Sequence, residues 1–330
     1  MGSPRFGTFS IVAADPETET WGVAVQSKFI SVGAVVPWAE APVGAVATQA
    51  RANVSYGPRG LELLRKGRSA SDVVKALTDA DDRRADRQLG VVDRRGGSAA
   101  YTGANCPAWA GHVLGTGFAC QGNILFAPEV VEAMARSFER TPGDLPERLL
   151  ASLAAGQREG GDRRGMQSAA LLVVRAKGGY DQGSDRWIDL RIDDHAMPIE
   201  ELQRVFRLYD LTLLERGDPA SLLPLEGETA LRVQRALSVL GFYTGPMGGA
   251  WEGKSRAAYL KFMDEHNFEN KARDGKEVWP SVLAYLEERA QAELTRRLAT
   301  TPIQPGALDR GPGAATGPAP VSGRGAKGKH

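Results

Sequence analysis

The run Thr8-Phe-Ser-Ile-Val-Ala13, stopped by the turn formers Asp15-Pro16, is followed after a short connection by Trp21-Gly-Val-Ala-Val-Gln-Ser27. Two apolar runs too short for helices, separated by a turn signal, read as an antiparallel hairpin. A third strand is supplied by Val43-Gly-Ala-Val-Ala-Thr-Gln49. Small or apolar residues occupy both alternating sets of positions in these runs, as expected of a sheet covered on both faces.

Working outward, the period changes from two to helical. Tyr56-Gly-Pro-Arg-Gly-Leu opens a helix with Pro58 in its first turn. A second begins at Ser69, where Ser69 and Asp72 have capping-box spacing ahead of Val73, Val74 and Leu77. Strands return at Gln88 to Asp93 and Ser98 to Thr102, then a glycine-rich stretch runs through Trp109–His112 and Gly117–Asn123. Helices follow near Pro128 to Phe138 and Pro146 to Gln157, strands at Ser168 to Arg175 and Trp187 to Ile192, and a helix from Pro198 to about Leu214. Helix pairs between strand runs argue against βαβ winding, where single helices separate parallel strands. The pattern fits an α+β fold: two antiparallel sheets with a helical layer outside each, a four-layer αββα sandwich over residues 8–214. A small helical domain is expected over 215–298, with helices at Glu228 to Leu240, around Ala257 to Phe262, and from Val278 to Leu298. Residues 1–7 read as an N-terminal extension. Residues 299–330, dominated by Gly, Pro, Ala and Lys, read as a disordered tail.

Composition narrows the function. Among 330 residues, 41 Lys and Arg face 40 Asp and Glu, so the net charge of +1 offers no basic surface for nucleic acid. No stretch is apolar enough to span a membrane, and the N-terminal residues lack the apolar core of a leader. Cys106 and Cys120 make neither a disulfide framework nor a zinc pattern. A cytoplasmic protein without cofactor or metal is expected.

Collinear stretches carry a resemblance: Thr8-Phe-Ser-Ile-Val-Ala, Gly22-Val-Ala-Val-Gln-Ser-Lys28, Gly44-Ala-Val-Ala-Thr-Gln49, Ser55-Tyr-Gly-Pro-Arg-Gly60, Gln121-Gly-Asn123 and Gly161-Asp-Arg-Arg-Gly-Met-Gln-Ser168. Through them residues 8–214 resemble a bacterial family of uncharacterised Ntn-hydrolase-like proteins, domain-of-unknown-function family 1028. That resemblance implies the αββα fold independently of the strand pattern, and it implies a homo-oligomer. Residues 228–263 are similar to peptidoglycan-binding-type helical modules, through Leu231-Arg-Val-Gln-Arg-Ala-Leu237 and Leu240-Gly-Phe-Tyr-Thr-Gly-Pro246. A peptidoglycan or protein contact through 228–298 is what that similarity implies, the alternative being a helical appendage.

The Ntn resemblance directs attention to an N-terminal nucleophile. Ntn hydrolases use a Thr, Ser or Cys whose own α-amino group takes the hydroxyl proton, and an amine with a pKa near 8 suits that task. Thr8 opens the first strand, where such a fold would hold its nucleophile, but it becomes N-terminal only if the Gly7–Thr8 bond is cut. Glycine at position 7 leaves room for the hydroxyl to approach that carbonyl; read plainly, Thr8 is a strand opener. Ser10 is a second candidate hydroxyl. Lys28, just past the second strand, is either a charge that activates the nucleophile or an exposed strand-end lysine. Ser27 and Gln26 alternate in direction, so only one faces a given side of the sheet. Gln121 and Asn123 suit a substrate amide or an oxyanion, or else a turn. Asp162 and Arg164, ahead of Ser168, offer a fork for a carboxylate or a local ion pair. Asp193-Asp194-His195 reads as a turn before the Pro198 helix. Two functions follow: a hydrolase of a small amide-type C–N bond with a threonine nucleophile acting on a small-molecule substrate, or a non-catalytic binding or scaffold protein. A wall-associated hydrolase rests on the C-terminal module alone.

Overall fold

The computed structural model describes residues 7–300. The expected tail from 301 onward and all of the extension except Gly7 lie outside the described residues.

β1 (Thr8–Asp15) and β2 (Thr20–Ser27) form the hairpin that opens the chain, with Thr8 opposite Ser27 and Asp15 opposite Thr20. Then come β3 (Pro37–Glu40), β4 (Gly44–Ala50), α1 (Tyr56–Arg65), α2 (Ala70–Asp79), β5 (Arg87–Asp93), β6 (Ser98–Thr102), β7 (Gly111–Gly115) and β8 (Phe118–Asn123). After α3 (Glu129–Arg140) and α4 (Leu145–Arg158), β9 (Ser168–Arg175), β10 (Arg186–Ile192) and α5 (Pro198–Leu213) complete the first unit. Ser69 caps α2 as its spacing predicts, its hydroxyl accepting from the Asp72 N–H at 3.2 Å. The strands β3 and β7 are additions to the sequence reading, and so is β8, whose run reads from sequence only as a glycine-rich stretch with a turn at Gln121-Gly-Asn123. β3 is an edge strand that begins at a proline, and β7 is a five-residue edge strand in the glycine-rich stretch. Neither carries the apolar alternation that marks a half-buried strand.

Six strands in the order β10-β9-β2-β1-β8-β7 make one antiparallel sheet, and β3-β4-β5-β6 make another. Period-two alternation divides β1 between two cores. Phe9, Ile11 and Ala13 meet Met134, Leu149 and Leu153 of α3 and α4, and the same core reaches Leu202 and Phe206 of α5. Val12 and Ala14 turn the other way, packing with Val23 and Val25 of β2 against Ala45, Ala47 and Val92 of the second sheet. The far face of that sheet carries Val46, Leu89 and Val91 against Leu61 and Leu64 of α1 and Val73 and Leu77 of α2. The molecule is thus mixed α and β, with helices outside both sheets of the first unit.

A second unit with its own core holds β11 (Leu223–Pro224), α6 (Gly227–Val239), α7 (Gly253–Glu265), β12 (Glu277–Val278) and α8 (Pro280–Thr300). Its miniature β11–β12 pair was not predicted; two residues per strand are too few for a pattern. The two cores share the α5 region: Phe206 and Leu214 belong to the first and Leu211 to the second. Arg216 sits at this junction. It binds Asp210 of α5 at 2.7 Å and Asp144 at 3.1 Å, contacts Glu147 of α4, and its carbonyl accepts from the buried Lys271 at 2.8 Å. Burial alone would lower the Arg216 guanidinium, but Glu147 and Asp210 outweigh it and hold it charged. Among the described residues, no helix is long and apolar enough to cross a membrane.

Two substitutions test the packing. Gly90 of β5 lies over the first sheet, and a Cβ there would collide with Gln121 Oε1 and sit 2.9 Å from Val12 Cγ1. Gly90→Ala is expected to cost about 1–3 kcal/mol by overpacking, read from urea unfolding beside Gly183→Ala, whose Cβ would meet only an ordinary contact at 3.4 Å. Arg216→Ala leaves three carboxylates without their common partner, and a loss of about 1–3 kcal/mol is expected for this part-exposed cluster. Unchanged unfolding midpoints would refute either assignment.

Candidate active site at Thr8

The ladder registers draw a single row across four strands. Ser168 of β9 stands opposite Ser27 of β2, Ser27 opposite Thr8 of β1, and Thr8 opposite Asn123 of β8. Directly paired residues point to the same face of a sheet, here the face shared with the second sheet. Four residues from separate parts of the sequence therefore meet at one end of the inter-sheet space.

Behind Thr8 the interface is built of amides. Ser10 donates to Gln49 Oε1 at 2.6 Å and accepts from Gln121 Nε2 at 2.6 Å. Gln49 Nε2 reaches Gln88 Oε1 at 2.8 Å and the Thr8 carbonyl at 3.4 Å. Gln88 Nε2 donates to the Gly122 carbonyl at 2.7 Å, and Asn123 Nδ2 donates to Gln88 Oε1 at 2.9 Å. All of these side chains are fully buried or nearly so. Ser10 is therefore a strut between the sheets, with its hydroxyl used on both sides. Gln121 and Asn123 support Thr8 from behind. Gln121 Oε1 and Asn123 Oδ1 have no hydrogen-bond partner among the described residues.

In front of Thr8 lies a cavity of about 340 Å³, lined by Thr8, Gln49, Phe29, Val32, Arg51 and Arg87 among others. Thr8 is 4% exposed and lines this space. Its hydroxyl lies 3.0 Å from Ser27 Oγ. Ser27 Oγ donates to the Gly7 carbonyl at 2.5 Å, and Arg164 Nη2 donates to the same oxygen at 2.8 Å. Arg164 is aimed by Asp162, which it meets through Nη2 at 2.7 Å and Nε at 3.1 Å. The Asp162 carboxylate also accepts from the backbone N–H of Lys28 at 3.1 Å and of Arg164 at 2.9 Å. It fits closely against Gly7, where an added Cβ would lie 2.7 Å from Oδ2. Position 7 is glycine because a carboxylate occupies the side-chain space.

Lys28 and Ser168 sit differently from Thr8. Lys28 is exposed, and its Nζ donates to the Met166 carbonyl at 3.1 Å. Ser168 donates to the Phe29 carbonyl and accepts from the Val32 N–H, pinning the loop that forms one cavity wall. Three non-glycine residues with positive φ follow the strands at this end: Ser31 at 52°, Ala50 at 66° and Ile124 at 52°. For β-branched Ile124 this conformation is strained, and such strain concentrates at functional sites.

Elsewhere the candidates are structural. Burial raises the Cys106 thiol to about 11, the wrong direction for a nucleophile, and its Sγ donates to the Arg87 carbonyl. His195 Nδ1 accepts from the Met197 N–H at 3.0 Å, within the turn that leads into α5. Among the described residues no group of three His, Cys, Asp or Glu could hold a metal. The residues missed from sequence are Gln49, Gln88 and Arg51. Gln49 shares a face with Ala45 and Ala47 by alternation, which was its one legible signal.

No curated protein matches the chain. Residues 212–286 match the family described as "Putative peptidoglycan binding domain". Among solved structures, the crystal structure of a DUF1028 protein from Silicibacter pomeroyi is similar at 32% identity and a TM-score of 0.56, covering 65% of this chain and 92% of that one. Residues 8–202, more than half of the chain, match the family of unknown function DUF1028. The chain belongs to the DUF1028 family.

Proposed function

We propose that this chain is an Ntn-type hydrolase of a small amide-type C–N bond. Its nucleophile is the Thr8 hydroxyl, and its base is the Thr8 α-amino group freed by scission of the Gly7–Thr8 bond. The observation that carries this reading is the grip of Ser27 and Arg164 on the Gly7 carbonyl, the carbonyl of the bond that must break. Helices outside two antiparallel sheets, with Thr8 first in a central strand, support reading the first unit as an αββα Ntn sandwich.

The chemistry follows from the hydrogen inventory. Ser27 has one hydroxyl hydrogen and gives it to the Gly7 oxygen, so Thr8 is the donor in the 3.0 Å contact. When Thr8 Oγ1 bonds to the Gly7 carbon, the growing negative charge on the oxygen meets the Ser27 hydroxyl and the Arg164 guanidinium. The hydroxyl proton, relayed by Ser27, ends on the Thr8 nitrogen as the C–N bond breaks. Water then hydrolyses the ester, leaving a Gly7 carboxylate and a free Thr8 amine. Asn123 Oδ1, an unpartnered acceptor on the residue paired with Thr8, suits that new N–H donor. With Gly7 gone, Ser27 and Arg164 hold the carbonyl oxygen of a substrate in its place, while the amine takes the hydroxyl proton and returns it to the leaving nitrogen.

The unit matched at 212–286 supports a contact with a wall glycan or a protein partner. Free Cys106 and Cys120 support a reducing compartment. On the rival reading the Gly7–Thr8 bond stays intact and the chain is a binding or scaffold protein.

Intact-mass spectrometry of the purified chain decides between them. A species beginning at Thr8 is expected from the wild type and from Thr8→Ser, and none from Thr8→Ala. A wild-type mass that still contains Gly7 would favour the binding protein. The clamp has its own test: Arg164→Gln and Gly7→Ala should each slow scission at least about tenfold, the loss of one charge-assisted contact being worth about 1.5–3 kcal/mol. Scission at the wild-type rate in both variants would remove the clamp from the mechanism.

A further inference from the structure

The cavity beside Thr8 is lined by three arginines, Arg51, Arg83 and Arg87, and by no acid. Two of the three are committed elsewhere. Arg87 is bound to Asp81 at 3.0 Å in a part-buried pair and also donates to the Arg51 carbonyl. Burial would raise the Asp81 carboxyl, but hydrogen bonds from Arg87, Asn53, the Arg83 N–H and Tyr56 hold it below the usual range, so the pair is fixed as ions. Arg83 meets Asp86 at 3.2 Å.

Arg51 differs from both. Among the described residues its guanidinium has no hydrogen-bond or ion-pair partner. Asp86, which senses its charge, gives its oxygens to Arg83 and Asn105. Arg51 directly follows Ala50, whose φ of 66° turns the chain at the end of β4. The same cavity is lined by the branched aliphatic side chains of Val32, Val35 and Val36. A cation with an open fork and branched aliphatic side chains lining one space, the size of a small molecule, have a definite complement.

We infer that this cavity selects a small aliphatic molecule bearing a carboxylate, which Arg51 binds through its guanidinium. Where the hydrolase reading holds, on which this extension rests, the substrate is an amide with such a carboxylate on one of its two halves. The binding claim is separable, because the cavity is present with Gly7 still attached to Thr8 and needs no scission.

The test is titration of the full chain with isovalerate and with its neutral isostere isovaleramide, followed by chemical-shift or heat changes. The acid is expected to bind at least about tenfold more tightly than the amide, the size of one charge-assisted pair. Arg51→Gln should erase that difference and Arg51→Lys should keep part of it; Arg51 is exposed, so neither change threatens the core. Equal affinity for acid and amide, or no binding of either, overturns the inference. An acid preference that survives Arg51→Gln overturns the assignment to Arg51. The mass of the N-terminus reports on the Thr8 mechanism separately, so an anion site in an uncleaved chain and a cleaved chain without an anion site are distinct results.

Discussion

Two sheets packed face to face normally close on apolar side chains, and here they do so only over part of their contact. From Val12 onward the interface is valine and alanine; toward Thr8 it becomes Ser10, Gln49, Gln88, Gln121 and Asn123, all buried. Burying amides is tolerable only when they satisfy one another, and a half-satisfied network is costly. Most of these groups are paired across the sheets, so the two sheets cannot slide relative to one another without breaking several bonds together. That network fixes where Thr8 stands relative to Gln49 and the cavity wall. Gly90 is part of the same constraint, since only a hydrogen at that position admits the Gln121 side chain.

A second, smaller constraint holds the other side of Thr8. The buried Asp162 carboxylate is stabilised by Arg164 and by two backbone N–H groups, and it fills the place of a side chain at Gly7. The isolated bridge between Leu125 and Asp162 ties this loop to the end of β8 through the strained Ile124. Arg164 is therefore aimed by its own acid, and its reach to the Gly7 carbonyl follows from that aim. Of the two readings open when only Gly161-Asp-Arg-Arg-Gly165 is considered, a fork for a carboxylate or a local ion pair, the ion pair is present, and the same guanidinium also grips the Gly7 carbonyl.

What was legible in the sequence is what local periodicity encodes. The β1–β2 hairpin was visible because apolar runs of six and seven residues with a turn between them have few other solutions. Ser27 rather than Gln26 faces the second sheet by strict alternation, and the register does the rest. What was not legible depends on contacts distant in sequence. Gln49 and Gln88 meet Ser10 and Asn123 only because one sheet lies on another, a contact no spacing announces. Arg51 read as one loop cation among many, since a cavity needs walls from several segments. Lys28 went the other way: its place just after β2 suggested a charge beside the nucleophile, but the chain leaves the sheet there and carries its ammonium to the Met166 carbonyl.

The proposed chemistry and the charge of the cavity bear on each other. A free amine at Thr8 serves as base only in its neutral form, and a protonated amine would stand beside a wall that already carries Arg51, Arg83 and Arg87. On the proposed reading, Asp86 and Asp81 offset Arg83 and Arg87, so Arg51 is the charge that would disfavour the protonated amine. A bound carboxylate reverses part of that effect by neutralising Arg51. It therefore favours the protonated amine once the proton has been taken from the hydroxyl, when the nitrogen must hold it for the leaving group. On the proposed reading, Arg83 and Arg87 stay held by Asp86 and Asp81 while Arg51 takes the carboxylate, so binding would change the field at Thr8 without disturbing the fold.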